Sequence, residues 1–224
     1  MNTFSPSIGS SSVLALTSLL DDYGYSREYV SKLSGIDLSK LDLQDSRLPL
    51  DDYQTLWKTA LDITHNPALG LELGQIFNAS KIGLVGHIIF NSENLAEGLK
   101  EYVRLFSIVN EAISLVFETD QKYAYLRFVH LNPEYYCVPD MERSMVLSLY
   151  RGKALFDNDI QWESVDFQHA QPDYIDKYQK VFNCPLNFRF TVLPSPYTSC
   201  HLYETKYEPF GNSTISCSFG CAYC

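Results

Sequence analysis

Apolar positions recur at three- and four-residue spacing through most of the first 110 residues, which predicts a helical first half. The most regular stretch is Pro67–Ala112, PALGLELGQIFNASKIGLVGHIIFNSENLAEGLKEYVRLFSIVNEA, and it predicts three consecutive helices. Asn66 caps the first, which opens at Pro67 and carries Leu69, Leu71, Leu73 and Phe77. A short apolar helix covers Gly83–Phe90. Asn91 or Ser92 then caps a long amphipathic helix with Leu95, Leu99, Tyr102, Val103, Phe106 and Val109 along its buried side. Upstream, a helix through Val13, Leu16, Leu19 and Leu20 stops near Gly24, and Ser26 caps a second that ends at Gly35. An extended RLPL leads into a third, whose stripe is Leu56, Trp57, Ala60 and Leu61.

From Ala112 the period shifts to two. Ala112–Thr119 and Lys122–Leu131 read as strands of a hairpin around Asp120 and Gln121. In the second strand Tyr123, Tyr125, Arg127 and Val129 share one face, and Ala124, Leu126, Phe128 and His130 the other. Pro139 opens a long helix with Met141, Met145, Leu149 and Leu155 on one side. Trp162–His169 is a third strand, Pro172 starts a short helix with Asn183 at its left-handed end, and a last strand begins at Pro185. This order predicts an α+β fold, a helix-rich domain with a small, mainly antiparallel sheet.

Charge and composition narrow the function classes. The formal net charge of −10 repels phosphate backbones, so direct nucleic-acid binding by this chain is not expected. Helix, glycine turn and helix at Ser26–Leu41 imitate a DNA-reading unit, but Asp37, Asp42 and Asp45 stand where cations are needed. No apolar run approaches the roughly 20 residues that span a bilayer, and the first residues lack the features of a signal peptide. A cytoplasmic protein with no membrane partner is expected.

Candidate chemistry is sparse. Cys217, Cys221 and Cys224 form C-x3-C-x2-C, a spacing that resembles the cluster loop of radical S-adenosylmethionine enzymes. No barrel-sized sequence follows it, and adventitious metal binding or a loose peptide is the plainer reading. His65, His87, His130, His169 and His201 show no metal-ligand spacing, and no nucleophile elbow or phosphate-binding loop is present. No enzymatic activity and no cofactor are expected. For binding, His87, Tyr102, Phe106, Tyr125 and Arg127 are the candidates, with Arg127 as a bidentate carboxylate anchor. They predict a pocket between the Glu93–Asn110 helix and the sheet, weighed against simple core packing with an exposed arginine.

Several motifs in fixed order carry a family resemblance. Asn66–Gly74 reads NPALGLELG, Gly83–Gly86 reads GLVG, and Asn94–Leu99 reads NLAEGL. His169, Pro172 and Phe182–Phe188 (FNCPLNF) follow. Over roughly residues 10–190 the chain resembles the N-terminal, arabinose-binding-like effector domain of AraC-type transcriptional regulators, in the branch of ornithine- and arginine-responsive activators. The resemblance implies a domain over 1–190 that binds a small-molecule effector and dimerises, with itself or with an intact regulator. In the family such a domain precedes a DNA-binding domain with two helix-turn-helix units, which this sequence does not contain. Residues 191–224 instead read as an atypical Cys-rich tail, out of frame or disordered, as a frameshift near codon 190 would leave. The alternatives are a free-standing α+β binding or interaction module and a fragment with an iron–sulfur motif.

Overall fold

The computed structural model describes residues 5–41, 46–76, 91–92, 95–120, 123–155, 162–189 and 216–221, with the backbone alone at 95, 155 and 216–221. The first helices, α1 (Ser10–Asp22), α2 (Arg27–Ser34) and α3 (Leu50–Thr64), follow the predicted apolar stripes. Ser26 accepts the Tyr29 N–H at the start of α2, and Gly35 ends it in the left-handed conformation. The second helix of the DNA-reading look-alike does not form. Asp37 takes the Ser39 N–H and hydroxyl at 3.0 and 2.6 Å, closing a turn.

Two three-residue strands, β1 (Ser7–Gly9) and β2 (Arg47–Pro49), pair antiparallel beside these helices. Arg47 binds the Ser7 hydroxyl and the Ile108 carbonyl, and Glu111 accepts the Ser7 N–H at 2.8 Å. These bonds tie the N-terminal strands to the end of α5 (Leu95–Val109). Between them in sequence lies α4 (Leu69–Gln75), preceded by an Asn66 turn in which the side chain accepts the Ala68 N–H. Helix starts two residues after the predicted Pro67. The Gly83–Phe90 helix and Phe77 lie outside the described residues.

The hairpin forms as β3 (Ile113–Thr119) and β4 (Ala124–His130), in the register Ile113–His130 to Thr119–Ala124. Next come α6 (Val138–Leu155), β5 (Val165–Phe167), α7 (Ile175–Phe182), β6 (Leu186–Phe188) and β7 (Ser216–Cys221). Asn183 closes α7 at φ 51°, as predicted.

The α+β class is borne out. Antiparallel pairing holds for β1–β2 and β3–β4, whereas β4–β7, β7–β5 and β5–β6 are parallel in a sheet of order β3-β4-β7-β5-β6. Helix α6 returns the chain before β5 and α7 before β6, which lets β5 and β6 run parallel. β7 lies beyond residue 190, within the segment expected to be a loose tail.

Apolar residues gather in two clusters. One holds α1, α2, α3 and the small strands, with Leu16, Leu56 and Trp57 at its centre. The other lies between the sheet and α5, α6 and α7, with Phe106, Phe128, Met145, Phe167 and Tyr178. Helix α6 is sunk deeply into the molecule: every side chain from Asp140 to Met145, charged ones included, is buried. Among the described residues no helix is long and apolar enough to cross a membrane.

Candidate functional site

Burying a charged helix requires that each charge find a partner. Asp140, in the first turn of α6, accepts the Tyr53 hydroxyl at 2.8 Å and the Arg143 Nε at 2.9 Å. This links α3 to α6 through an ion pair removed from water. Burial opposes the Arg143 charge, but Tyr53 and Asp140 outweigh it and hold the guanidinium protonated.

A second polar chain runs from the 3-10 turn Pro133–Tyr135 through β5 to α7. The Tyr136 hydroxyl lies 2.8 Å from His169 Nδ1, and His169 Nε2 lies 2.9 Å from the Tyr178 hydroxyl. Tyr178 and Tyr174 both donate to Glu142 Oε1, at 2.5 and 2.8 Å. Because the carboxylate accepts, the Tyr178 oxygen is left to accept from His169 Nε2–H, and Nδ1 accepts from Tyr136. One proton order accounts for every bond of the chain with a neutral imidazole, while the second carboxyl oxygen, Glu142 Oε2, is buried without a hydrogen bond. His169 is thus a half-buried, hydrogen-bonded residue joining three elements.

Burial pushes the Glu142 carboxyl up to about 7, against the two tyrosine bonds that lower it. Burial also pulls His169 and His130 down to about 4. The histidines stabilise the fold above pH 6.5 and lose that contribution as pH falls towards 4. Glu142 acts oppositely: its contribution is complete below pH 4.5 and is lost as pH rises through about 7. Between pH 4.5 and 6.5 the unfolded chain takes up two histidine protons while the native state holds the one on Glu142. From these three groups, stability is expected to rise by about 1.4 kcal/mol per pH unit across that window and to peak near pH 6.5. Glu142→Gln should steepen the rise and remove the decline above the peak. Urea midpoints from pH 4.5 to 8 measure both, and an unchanged profile in the variant contradicts this assignment.

The structure divides the candidate binding residues. Tyr102 and Phe106 on α5 face the inner side of the sheet, where Phe106 meets Phe128 edge to face at 5.7 Å and Tyr102 meets Phe106 at 5.2 Å. Tyr125 and Arg127 alternate to the other side of β4. There Tyr125 bonds Asp120, and Arg127 forms an ion pair with Glu118. The geometry therefore does not gather Tyr102, Phe106, Tyr125 and Arg127 around one cleft. His87 lies outside the described residues.

Cys217 and Cys221 fall in β7, opposite Leu126 and His130 of β4, and Cys224 lies outside the described residues. Four residues of extended strand span about 13 Å, too far for two thiolates to share one ion. No group of three metal-ligating side chains occurs among the described residues. Cys137 and Cys184 are free thiols whose pKa values burial raises to about 12, so both stay protonated at neutral pH.

What the sequence did not single out is the polar side of α6. Tyr102 lies beside both Arg143 and Arg151 of that helix. Arg151 Nε is buried and without a hydrogen-bond partner. Burial works against the Arg151 charge, Tyr102 supports it, and neighbouring Arg143 repels it. The only cue in the sequence is that Arg143 and Arg151 stand eight residues apart, two turns along a helix whose apolar stripe is interrupted by charges.

Residues 24–190 match the family described as the arabinose-binding domain of AraC transcription regulators, N-terminal. The chain is also similar to the ornithine utilization regulator of Pseudomonas aeruginosa, with 27% identity over 188 residues. That alignment takes in 82% of this chain and 56% of the relative, so the chain spans little more than half the relative's length.

Proposed function

Because the chain belongs to the N-terminal arabinose-binding domains of AraC transcription regulators, we propose that it senses a small-molecule effector and dimerises on behalf of such a regulator. The family match over residues 24–190 carries this reading. The relative's role in ornithine utilization makes basic amino acids the first effectors to test. The net charge of −10 supports a sensor that leaves contact with DNA to another part of the regulatory system, and a cytoplasmic location fits that role.

Thermal unfolding of the purified chain against a panel of amino acids and sugars tests the sensing role. At about 100 times Kd, an effector is expected to raise Tm by roughly 5–10 °C. No shift from any member of the panel counts against it. Sedimentation velocity with and without the compound that binds tests dimerisation, and a monomer under both conditions removes that part of the proposal.

A further inference from the structure

Helix α6 carries two arginines towards Tyr102 of α5, and among the described residues only one of them has a carboxylate. Arg143 is neutralised by Asp140, at 2.8 Å in the ion pair. Arg151 has no such partner among the described residues: its Nε makes no hydrogen bond, Tyr102 supports its charge as a hydrogen-bonding neighbour, and the like-charged Arg143 repels it. The Arg151 side chain is half-buried with its Nε held from water and unbonded, which is unfavourable, and its planar fork matches a carboxylate in two parallel bonds. The balance of Arg143, Arg151 and Asp140 leaves a single positive charge, which suits a monoanionic carboxylate better than a phosphate dianion.

We propose that Arg151, with the Tyr102 hydroxyl beside it, anchors the carboxylate of a small amino-acid or organic-acid effector between α5 and α6. The inference rests on the sensing role proposed above and adds the chemical class of the effector. It also moves the carboxylate anchor expected at Arg127 to an arginine on the side of the sheet where Tyr102 and Phe106 stand. Arg127 already holds Glu118.

The test compares the melting temperature of the whole chain in sodium acetate and in sodium chloride at equal ionic strength. A rise of a few degrees specific to acetate is expected, and Arg151→Met should abolish it. Arg151→Lys, which keeps the charge but not the fork, should weaken acetate binding about tenfold and serves if the methionine variant does not fold. Equal melting in both salts overturns the proposal, as does a sulfate effect matching that of acetate, or an acetate effect kept in either variant. L-Ornithine and putrescine, which differ by the carboxylate, supply the second arm. A shift with ornithine alone supports the anchor, whereas equal shifts, or a binder from the panel that needs neither a carboxylate nor Arg151, leave the sensing role standing and overturn the anchor. An acetate effect lost in Arg151→Met, with no panel compound binding, supports the anchor and removes the sensing role.

Discussion

Replacing Asp140 with alanine is expected to destabilise the fold by about 3–5 kcal/mol, the range for stranding one member of a buried ion pair. The loss exceeds that of a single hydrogen bond because the Asp140 Oδ1 serves two elements. It accepts the Tyr53 hydroxyl of α3 and the Arg143 Nε within α6. Without it, the Arg143 guanidinium stays in the interior without its carboxylate, and Arg151 adds a like charge nearby. Exchanging the pair together, Asp140→Leu with Arg143→Met, should recover most of the loss, since apolar groups of similar volume replace buried ion pairs at little cost. Urea denaturation of the three proteins measures this. A single variant within about 1 kcal/mol of the parent would show that the pair is not the joint between α3 and α6.

Gly70→Ala is expected to lower Tm by roughly 5–10 °C, against the usual preference of helices for alanine, which is worth about 1 kcal/mol. A Cβ at Gly70 would stand 2.2 Å from the Pro139 carbonyl oxygen and 2.6 Å from Glu142 Oε2. At Gly74 it would stand 2.8 Å from the Arg143 carbonyl and 2.6 Å from Val146 Cβ. The nearest atom at Gly70 belongs to the α6 backbone, which cannot turn aside, so the helices must separate and lose buried contacts. Gly74→Ala should act in the same direction and less strongly, because its closest approach is 2.6 Å rather than the 2.2 Å at Gly70. Differential scanning calorimetry decides the sign: a higher Tm for Gly70→Ala would mean that the two helices are not packed backbone to backbone.

Local chemistry was legible in the sequence; long-range polar pairing was not. Ser26, Gly35 and Asn183 mark helix ends through their own backbone and side-chain preferences, and the structure places them there. The hairpin pattern likewise needs only neighbouring residues. LGLELG was visible as a motif, but the reason for its glycines is the backbone of a helix some 70 residues later. The Tyr136–His169–Tyr178–Glu142 chain joins residues up to 36 apart, and nothing in the spacing of the individual side chains announces it. Arg143 and Arg151 carry no sequence signal of burial, because a sequence pattern does not reveal how deeply α6 is covered. In SCSFGC, Cys217, Phe219 and Cys221 alternate with small residues as a strand requires, a period short enough to be masked by the cysteine spacing.

Helix α4 has only seven residues, yet it contributes to both apolar clusters: Leu69 and Leu73 to one, Leu71 to the other. Its glycine side is meanwhile seated on α6. Among the described residues, α4 therefore bridges the two clusters. Any sliding of α6, the helix that bears Arg151, is handed through α4 to the N-terminal helices, much as a gear tooth passes on the motion of its wheel.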